Sequence, residues 1–268
     1  MNRSEALESA IRIAIEASAI VMRVYKEDFA VEYKGKSDPV TLADREANAY
    51  ITRALGELFP GVPVVAEESE PSSYAAYETA PRAWFVDPLD GTREFVAKNG
   101  QFAVMIGLAE AGRPTLGAIV WPVEGRVFAG GEGFGAFEMT GSARPAIRVS
   151  GQTDVSRAGI VISRSHPSPE TAAALARIGG ARVTPTGSAG RKGTLIACGE
   201  ADIYVHPGRA GKLWDTCAPE AIVLAAGGEV TDANGNRIDY RRGELSQVSG
   251  LLMSNGALHA HVLRSLEG

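Results

Sequence analysis

Apolar residues recur at helical spacing from the start of the chain. Leu7, Ala10, Ile11, Ala14, Ile15, Val21, Met22 and Tyr25 predict a long first helix, with Ser4 as its N-cap. A second helix is predicted after Thr41. Thr41 and Asp44 stand at capping-box spacing, and Ala47, Tyr50, Ile51, Ala54, Leu55 and Leu58 form an apolar stripe. Pro60-Gly61-Val62-Pro63 ends that helix and leads into a short strand, 64–66. Trp84-Phe85-Val86 reads as a buried strand. Segments 102–109, 115–121 and 127–130 then alternate with turn residues, as an antiparallel meander does. A small and polar stretch near 140–157 is the predicted seam. Beyond it, strands at 159–163, 182–185, 202–205, 229–231 and 251–254 alternate with helices. Those helices are expected at 169–178, up to Cys198, at 215–226 with Pro219 in its first turn, and at 257–266. The pattern predicts an α/β (α+β) chain in two halves, 1–145 and 146–268.

Composition narrows the function. With 45% hydrophobic and 22% charged residues, the chain has the make-up of a globular protein with a sizeable core. A net charge of −5 without a basic block argues against a nucleic-acid polymer or an anionic membrane surface as partner. The only cysteines, Cys198 and Cys217, form no CxxC or Cys/His cluster, so neither zinc nor a disulfide framework is expected. Glu8, Arg12 and Glu16 interrupt the first apolar stretch, so no signal peptide is read there. No apolar run approaches the ~18 residues of a membrane span. The expectation is a cytoplasmic protein, with peripheral association at the inner membrane left open, as monomer or homodimer.

The most informative segment is Asp87-Pro88-Leu89-Asp90-Gly91-Thr92. It places two carboxylates at the end of a buried strand, with no lysine or arginine inside the turn to pair them. Such carboxylates repel unless a cation lies between them. Glu67 and Glu68 follow another strand, Asp44 lies in the first turn of the second helix, and Asp215 opens a later one. Taken singly these acids are ordinary: Asp44 and Asp215 suit a helix dipole, and Glu67-Glu68 suits a solvated loop. Together they form an oxygen-rich set suited to Mg²⁺ shared with a phosphate. In that reading Asp87, Asp90, Asp215 and Glu67 supply the charge, and the Leu89 carbonyl is a further ligand. The backbone N–H groups of Gly91 and Thr92 open a short helix, 93–97, as an anion cradle. The Thr92 hydroxyl, beside Asp44, orients and deprotonates a water.

Four ordered motifs resemble the inositol-monophosphatase superfamily. They are Gly35-Lys36-Ser37-Asp38-Pro39-Val40-Thr41 running to Asp44, Ala66-Glu67-Glu68-Ser69, Trp84 through Phe95, and Trp214-Asp215-Thr216-Cys217-Ala218-Pro219-Glu220. Thr92-Arg93-Glu94-Phe95, Ser163-Arg164-Ser165-His166 and Gly187-Ser188-Ala189-Gly190-Arg191-Lys192 are similar to its 3'(2'),5'-bisphosphate nucleotidase branch, and the likeness covers roughly residues 5 to 260. The resemblance implies a layered αβαβα sandwich and Mg²⁺-dependent, lithium-sensitive phosphomonoester hydrolysis with two or three ions. It implies Glu67, Asp87, Leu89, Asp90 and Asp215 as metal ligands, and Asp44 and Thr92, with Glu67, as the catalytic set. Gly91, Thr92 and Asp215 would meet the substrate phosphate, and His166, Ser188 and Lys192 the nucleotide. Read without the family, Lys192 is a solvated helix lysine. Ser188-Ala189 departs from branch members that carry glycine or a second serine there, which leaves base and ribose contacts open. The basic, glycine-rich run 205–212 is expected to form the pocket rim, with Arg209 or Lys212 helping to hold phosphate.

The implied substrate is a small phosphorylated nucleotide, adenosine 3',5'-bisphosphate, with phosphoadenylyl sulfate as a second. Inositol monophosphate or a sugar bisphosphate on the same metal site is the alternative. Asp90-Gly91-Thr92 is also similar to the Asp-x-Asp-Gly-Thr of haloacid-dehalogenase phosphatases, but Pro88 stands where their nucleophilic aspartate would be. A non-catalytic metal-binding module is disfavoured because Asp44, Glu67 and Thr92 are all present.

Overall fold

A computed structural model of the chain describes residues 2–27, 29–34, 38–180 and 182–267. Residues 35–37 of the first family-like motif therefore lie outside the described residues.

The first helix, α1 (Arg3–Tyr25), is capped by Asn2 rather than Ser4. The Asn2 side chain accepts from the Ser4 N–H at 2.9 Å, so the helix starts one turn earlier than its apolar stripe suggests. Leu7, Ala10, Ile11, Ala14 and Val21 are buried as expected, but Ile13 and Ala17 complete the stripe while Ile15 faces solvent. A hairpin not foreseen from the sequence follows, β1 (Val31–Lys34) with β2 (Asp38–Thr41). It feeds α2 (Leu42–Leu58), where Thr41 and Asp44 form the predicted capping box. Ala47, Ile51 and Leu55 are buried, whereas Leu58 is exposed and Phe59 takes its place inside.

β3 (Val64–Ala66) lies parallel to β4 (Arg82–Asp90). The short helix α3 (Thr92–Val96) then leads into a meander of β5 (Ala103–Glu110), β6 (Arg113–Trp121), β7 (Arg126–Gly131) and β8 (Gly135–Met139), giving a six-stranded sheet in the order β3-β4-β5-β6-β7-β8. The second half supplies β9 (Gly159–Ser163), α4 (Pro169–Ile178), β10 (Arg182–Thr186), α5 (Ala189–Ala197), β11 (Ile203–His206), α6 (Leu213–Ala225), β12 (Glu229–Thr231), β13 (Leu251–Ser254) and α7 (His259–Leu266). Its five strands order as β10-β9-β11-β13-β12, parallel from β10 to β11 and antiparallel beyond.

The contacts stack these elements as the expected αβαβα sandwich. Helices α1 and α2 cover one face of the large sheet, α6 covers the other with α5 beside it, the small sheet follows, and α4 with α7 closes the stack. Three apolar clusters fill the gaps. Trp84, Val86, Val104 and Ile106 face α1 and α2, and Phe85, Met105 and Ile119 face α6. Ile160, Ile203 and Leu252 face α4 and α7. Because both faces of the large sheet are covered, β4 to β6 read as nearly continuous apolar runs.

Helix α6 approaches the large sheet closely because Gly107 and Gly117, paired across β5 and β6, leave room for it. A Cβ on Gly117 would lie 2.4 Å from the Ala218 carbonyl oxygen, and one on Gly107 2.7 Å from the Ala218 nitrogen. Among the described residues no helix is long and apolar enough to cross a membrane. Gly117→Ala should therefore lower stability by about 2 kcal/mol through overpacking against α6. Chemical denaturation of the two proteins checks this, and an unchanged midpoint would show that α6 has slack here.

Candidate metal centre and substrate cavity

The two turn aspartates reach one face through a defect in the strand. In a regular strand, residues 87 and 90 would point to opposite faces. Asp87 pairs with Met105, however, while Asp90 pairs with Ala103, so three steps on β4 match two on β5. Pro88 lies inside that bulge, where its missing N–H costs no ladder bond. The extra residue restores parity. Leu89 N–H donates to Asp87 Oδ1 at 2.9 Å and holds the turn.

Asp215 arrives from the opposite side as the third residue of α6, its Oδ2 accepting from the Lys212 N–H at 2.6 Å. The helix starts at Leu213, so Pro219 lies within α6 rather than in its first turn as predicted. Lacking an N–H, Pro219 leaves the Asp215 carbonyl without its usual helical donor. Ligand oxygens of Asp87, Asp90 and Asp215 all lie within 4.8 Å of one another. Burial pushes the Asp87 carboxyl well above the usual range, and the charges of Glu67, Asp90 and Asp215 push it further. Asp215 is pushed up to about 7, by burial and then by Asp90. A hard divalent cation reverses both effects, and an all-oxygen donor set of this kind fits Mg²⁺.

Beside this cluster Thr92 Oγ1 donates to Asp44 Oδ1 at 3.0 Å and lies 3.3 Å from the Leu89 carbonyl oxygen. The other Asp44 oxygen accepts from Thr41 N–H at 2.7 Å and Thr41 Oγ1 at 2.6 Å, so the carboxylate is fixed in place. Burial is the main cause that lifts Asp44 to about 6. Gly91 caps α3 at φ 98°, a conformation open to glycine, and a Cβ there would lie 3.2 Å from the Gln101 carbonyl oxygen.

Asp90 also reaches the second half of the chain. Its Oδ2 accepts from Ser188 Oγ and from the Gly190 N–H at 2.7 Å. Ser188 has φ 62° and caps α5 by accepting from the Arg191 N–H at 3.0 Å. A non-glycine residue in that region is strained, and here hydrogen bonds to Asp90, Arg191 and Lys192 hold it. Lys192, one turn on, is only 3% exposed, so it is not the solvated lysine that its position alone suggests. Its ammonium donates to the Ser188 carbonyl at 2.6 Å and lies 5.1 Å from the Tyr204 ring centroid. Burial lowers it to about 8, opposed by the charges of Asp90, Glu94 and Asp215.

These groups surround one cavity of about 910 Å³. Glu67, Asp87, Leu89, Asp90, Gly91, Thr92, His166, Ser188, Lys192 and Asp215 all line it, whereas Asp44 lies behind Thr92. Of the expected rim 205–212, His206 and residues 208–212 line the cavity while Val205 is buried, and Arg209 Nη1 and Lys212 Nζ both donate to Ser246 Oγ, at 3.2 and 3.0 Å. His166 is held below its ordinary pKa, chiefly by burial and then by Arg93. Glu94, Tyr204 and Trp214 are wall residues to which the sequence assigns no role in the site, while His206 belongs to the expected rim. The alternation of apolar and polar positions at 203–206 was the available signal for Tyr204 and His206. Glu94 stands in the branch-like run 92–95, but nothing local gives it a role.

The comparisons agree with this geometry. The inositol monophosphatase family pattern matches residues 2–268. A 3'(2'),5'-bisphosphate nucleotidase CysQ from Salmonella typhimurium is 39% identical over 236 residues, 87% of this chain and 93% of the relative. Its Escherichia coli K12 counterpart is 37% identical over the same shares. Among solved structures, a SuhB protein from Bartonella henselae superimposes with a TM-score of 0.85 at 26% identity, covering 98% of both chains. CysQ from Bacteroides thetaiotaomicron does so with 0.79 at 29% identity, covering 93% of this chain and 97% of that one. With a layered sandwich, a bulged acidic turn facing Asp215 and a match over nearly its full length, the chain belongs to the inositol monophosphatase family.

Proposed function

We propose that the chain is a Mg²⁺-dependent 3'(2'),5'-bisphosphate nucleotidase that hydrolyses the 3'-phosphate of adenosine 3',5'-bisphosphate to AMP and phosphate, and also accepts phosphoadenylyl sulfate. The observation that carries this reading is a buried cation, Lys192, in the same cavity as the acidic cluster. A substrate with one phosphate needs only the acidic end. A substrate with two gives Lys192 and His166 a second anion to meet. The names of the nucleotidase relatives support the same choice.

Asp87, Asp90, Asp215 and Glu67 would hold the ions, with the Leu89 carbonyl as a further ligand. Bound Mg²⁺ supplies water of lowered pKa and neutralises charge on the phosphate and the leaving oxygen. The protein's own groups then position and deprotonate. The N–H groups of Gly91 and Thr92, at the start of α3 and on the cavity wall, would meet the phosphate oxygens. Thr92 Oγ1 accepts a proton from the attacking water as its own passes to Asp44 Oδ1, which the 3.0 Å hydrogen bond prepares. The Thr41 hydrogen bonds keep Asp44 aimed through that transfer.

Asp90→Asn should cut kcat on adenosine 3',5'-bisphosphate by roughly a hundredfold or more with the fold retained. A steady-state phosphate-release assay with matching circular dichroism checks this, and near-normal turnover would remove Asp90 from the metal set. Lys192→Met should lower the ratio of kcat/KM for the bisphosphate over inositol 1-phosphate roughly tenfold. An unchanged ratio would mean that Lys192 is structural, and a wild-type preference for inositol 1-phosphate would overturn the nucleotidase reading.

Acid burial also predicts a pH response of the metal-free protein. Asp44 at about 6 and Asp215 and Glu220 at about 7 bind protons more tightly folded than unfolded. Their stability contribution is full below the unfolded values near 4 and is lost as pH rises through the folded ones. In chelator, the Tm should fall between about pH 5 and pH 8, and Mg²⁺ should raise it more at the higher pH. Differential scanning calorimetry reads both, and equal Mg²⁺ shifts at the two pH values would contradict the assignment.

A further inference from the structure

Helix α3 carries two kinds of residue side by side. Thr92 faces Asp44, while the next two residues face the loop that follows β9. That loop, residues 164–168, has no regular secondary structure, and it presents His166 to the cavity. Ser165 fastens it at both ends of the residue. Its hydroxyl donates to Glu94 Oε1, and its carbonyl accepts from Arg93 Nη1 at 3.0 Å.

Glu94 is not placed there by chance of exposure. It is 3% exposed, and an uncompensated buried carboxylate is costly. Its stem fills the space above Gly187, where a Cβ would come within 2.5 Å of Glu94 Cγ. Gly187 in turn donates to Gln101 Oε1 at 2.8 Å and leads directly to Ser188. The carboxylate thus lies where the acidic turn, the Ser188 elbow and the His166 loop meet. Its negative charge also acts on Lys192 and His166.

We propose that Glu94, with Arg93 and Ser165, is a positioning residue that holds the His166 loop at a fixed distance from the acidic turn, so that the site favours a substrate long enough to span both. The inference rests on the nucleotidase reading for its substrate. The tether itself does not depend on it.

The test compares wild type, Glu94→Ala, Ser165→Ala, the double variant and Glu94→Gln in the full-length, Mg²⁺-loaded enzyme. Each variant is assayed on adenosine 3',5'-bisphosphate and on p-nitrophenyl phosphate, a small ester that does not reach the loop. Glu94→Ala and Ser165→Ala should each raise KM for the bisphosphate roughly tenfold and change the small ester's KM less than about twofold. The double variant should be no more than about twofold worse than Glu94→Ala, because both changes break one contact. Glu94→Gln, whose amide oxygen still accepts from Ser165, should recover most of the loss. Should Glu94→Ala not fold, Ser165→Ala carries the comparison alone. Additive effects, equal losses on both esters, or an unchanged KM would each overturn the proposal. Hydrogen exchange over residues 163–169 decides the tether without any substrate. Faster exchange in Ser165→Ala supports it and unchanged exchange refutes it. A wild type inert toward the bisphosphate but with a tethered loop would sink the nucleotidase reading instead.

Discussion

The constraint on which the rest depends is the mutual repulsion of carboxylates crowded around Asp87. Three acids with oxygens within 4.8 Å, and Glu67 near enough to act on Asp87, repel one another when ionised unless the site compensates them. The structure supplies part of that compensation through backbone donors. Leu89 N–H serves Asp87, Gly190 N–H serves Asp90 and Lys212 N–H serves Asp215. The Gly190 bond ties β4 to α5, and Asp215 brings the start of α6 to the same point. A divalent cation bound there would complete what those donors begin.

The fold delivers these elements to that point by two backbone devices. The β4 bulge at Pro88 turns two aspartates to one face, and the glycine pair 107/117 lets α6 settle close to the sheet. Neither device is chemical in itself. Each changes where a carboxylate ends up, and a distortion of about an ångström in either would be felt in the site. Ser188 is the complementary case. Its positive φ stores strain, and its hydroxyl returns a hydrogen bond to Asp90.

Much of this was legible from residue patterns, for identifiable reasons. Helices α1 and α2 announce themselves by period, and the acidic turn by two carboxylates flanking Pro88. The errors have equally physical causes. Ser4 and Asn2 are both good caps, and only the observed hydrogen bond distinguishes them. Pro219 suits a first turn, but tertiary packing extends α6 back to Leu213. The alternation in β1 runs over only four residues, Val31–Lys34, too short to stand out, and Lys192 looks solvated because the Tyr204 ring beside it is distant in sequence. Asp44 and Thr92 were paired correctly because a capping box fixes one and a turn fixes the other. Glu94 stands in the branch-like run 92–95, but its role is not legible there because its partner Ser165 is 71 residues away.

The central claim is that three distant aspartates form one cation site, and anomalous diffraction from crystals grown with Mn²⁺ tests it most directly. The account predicts an anomalous peak bounded by Asp87, Asp90 and Asp215, with a second peak toward Glu67. Crystals of active enzyme with those carboxylates apart and no peak between them would contradict it.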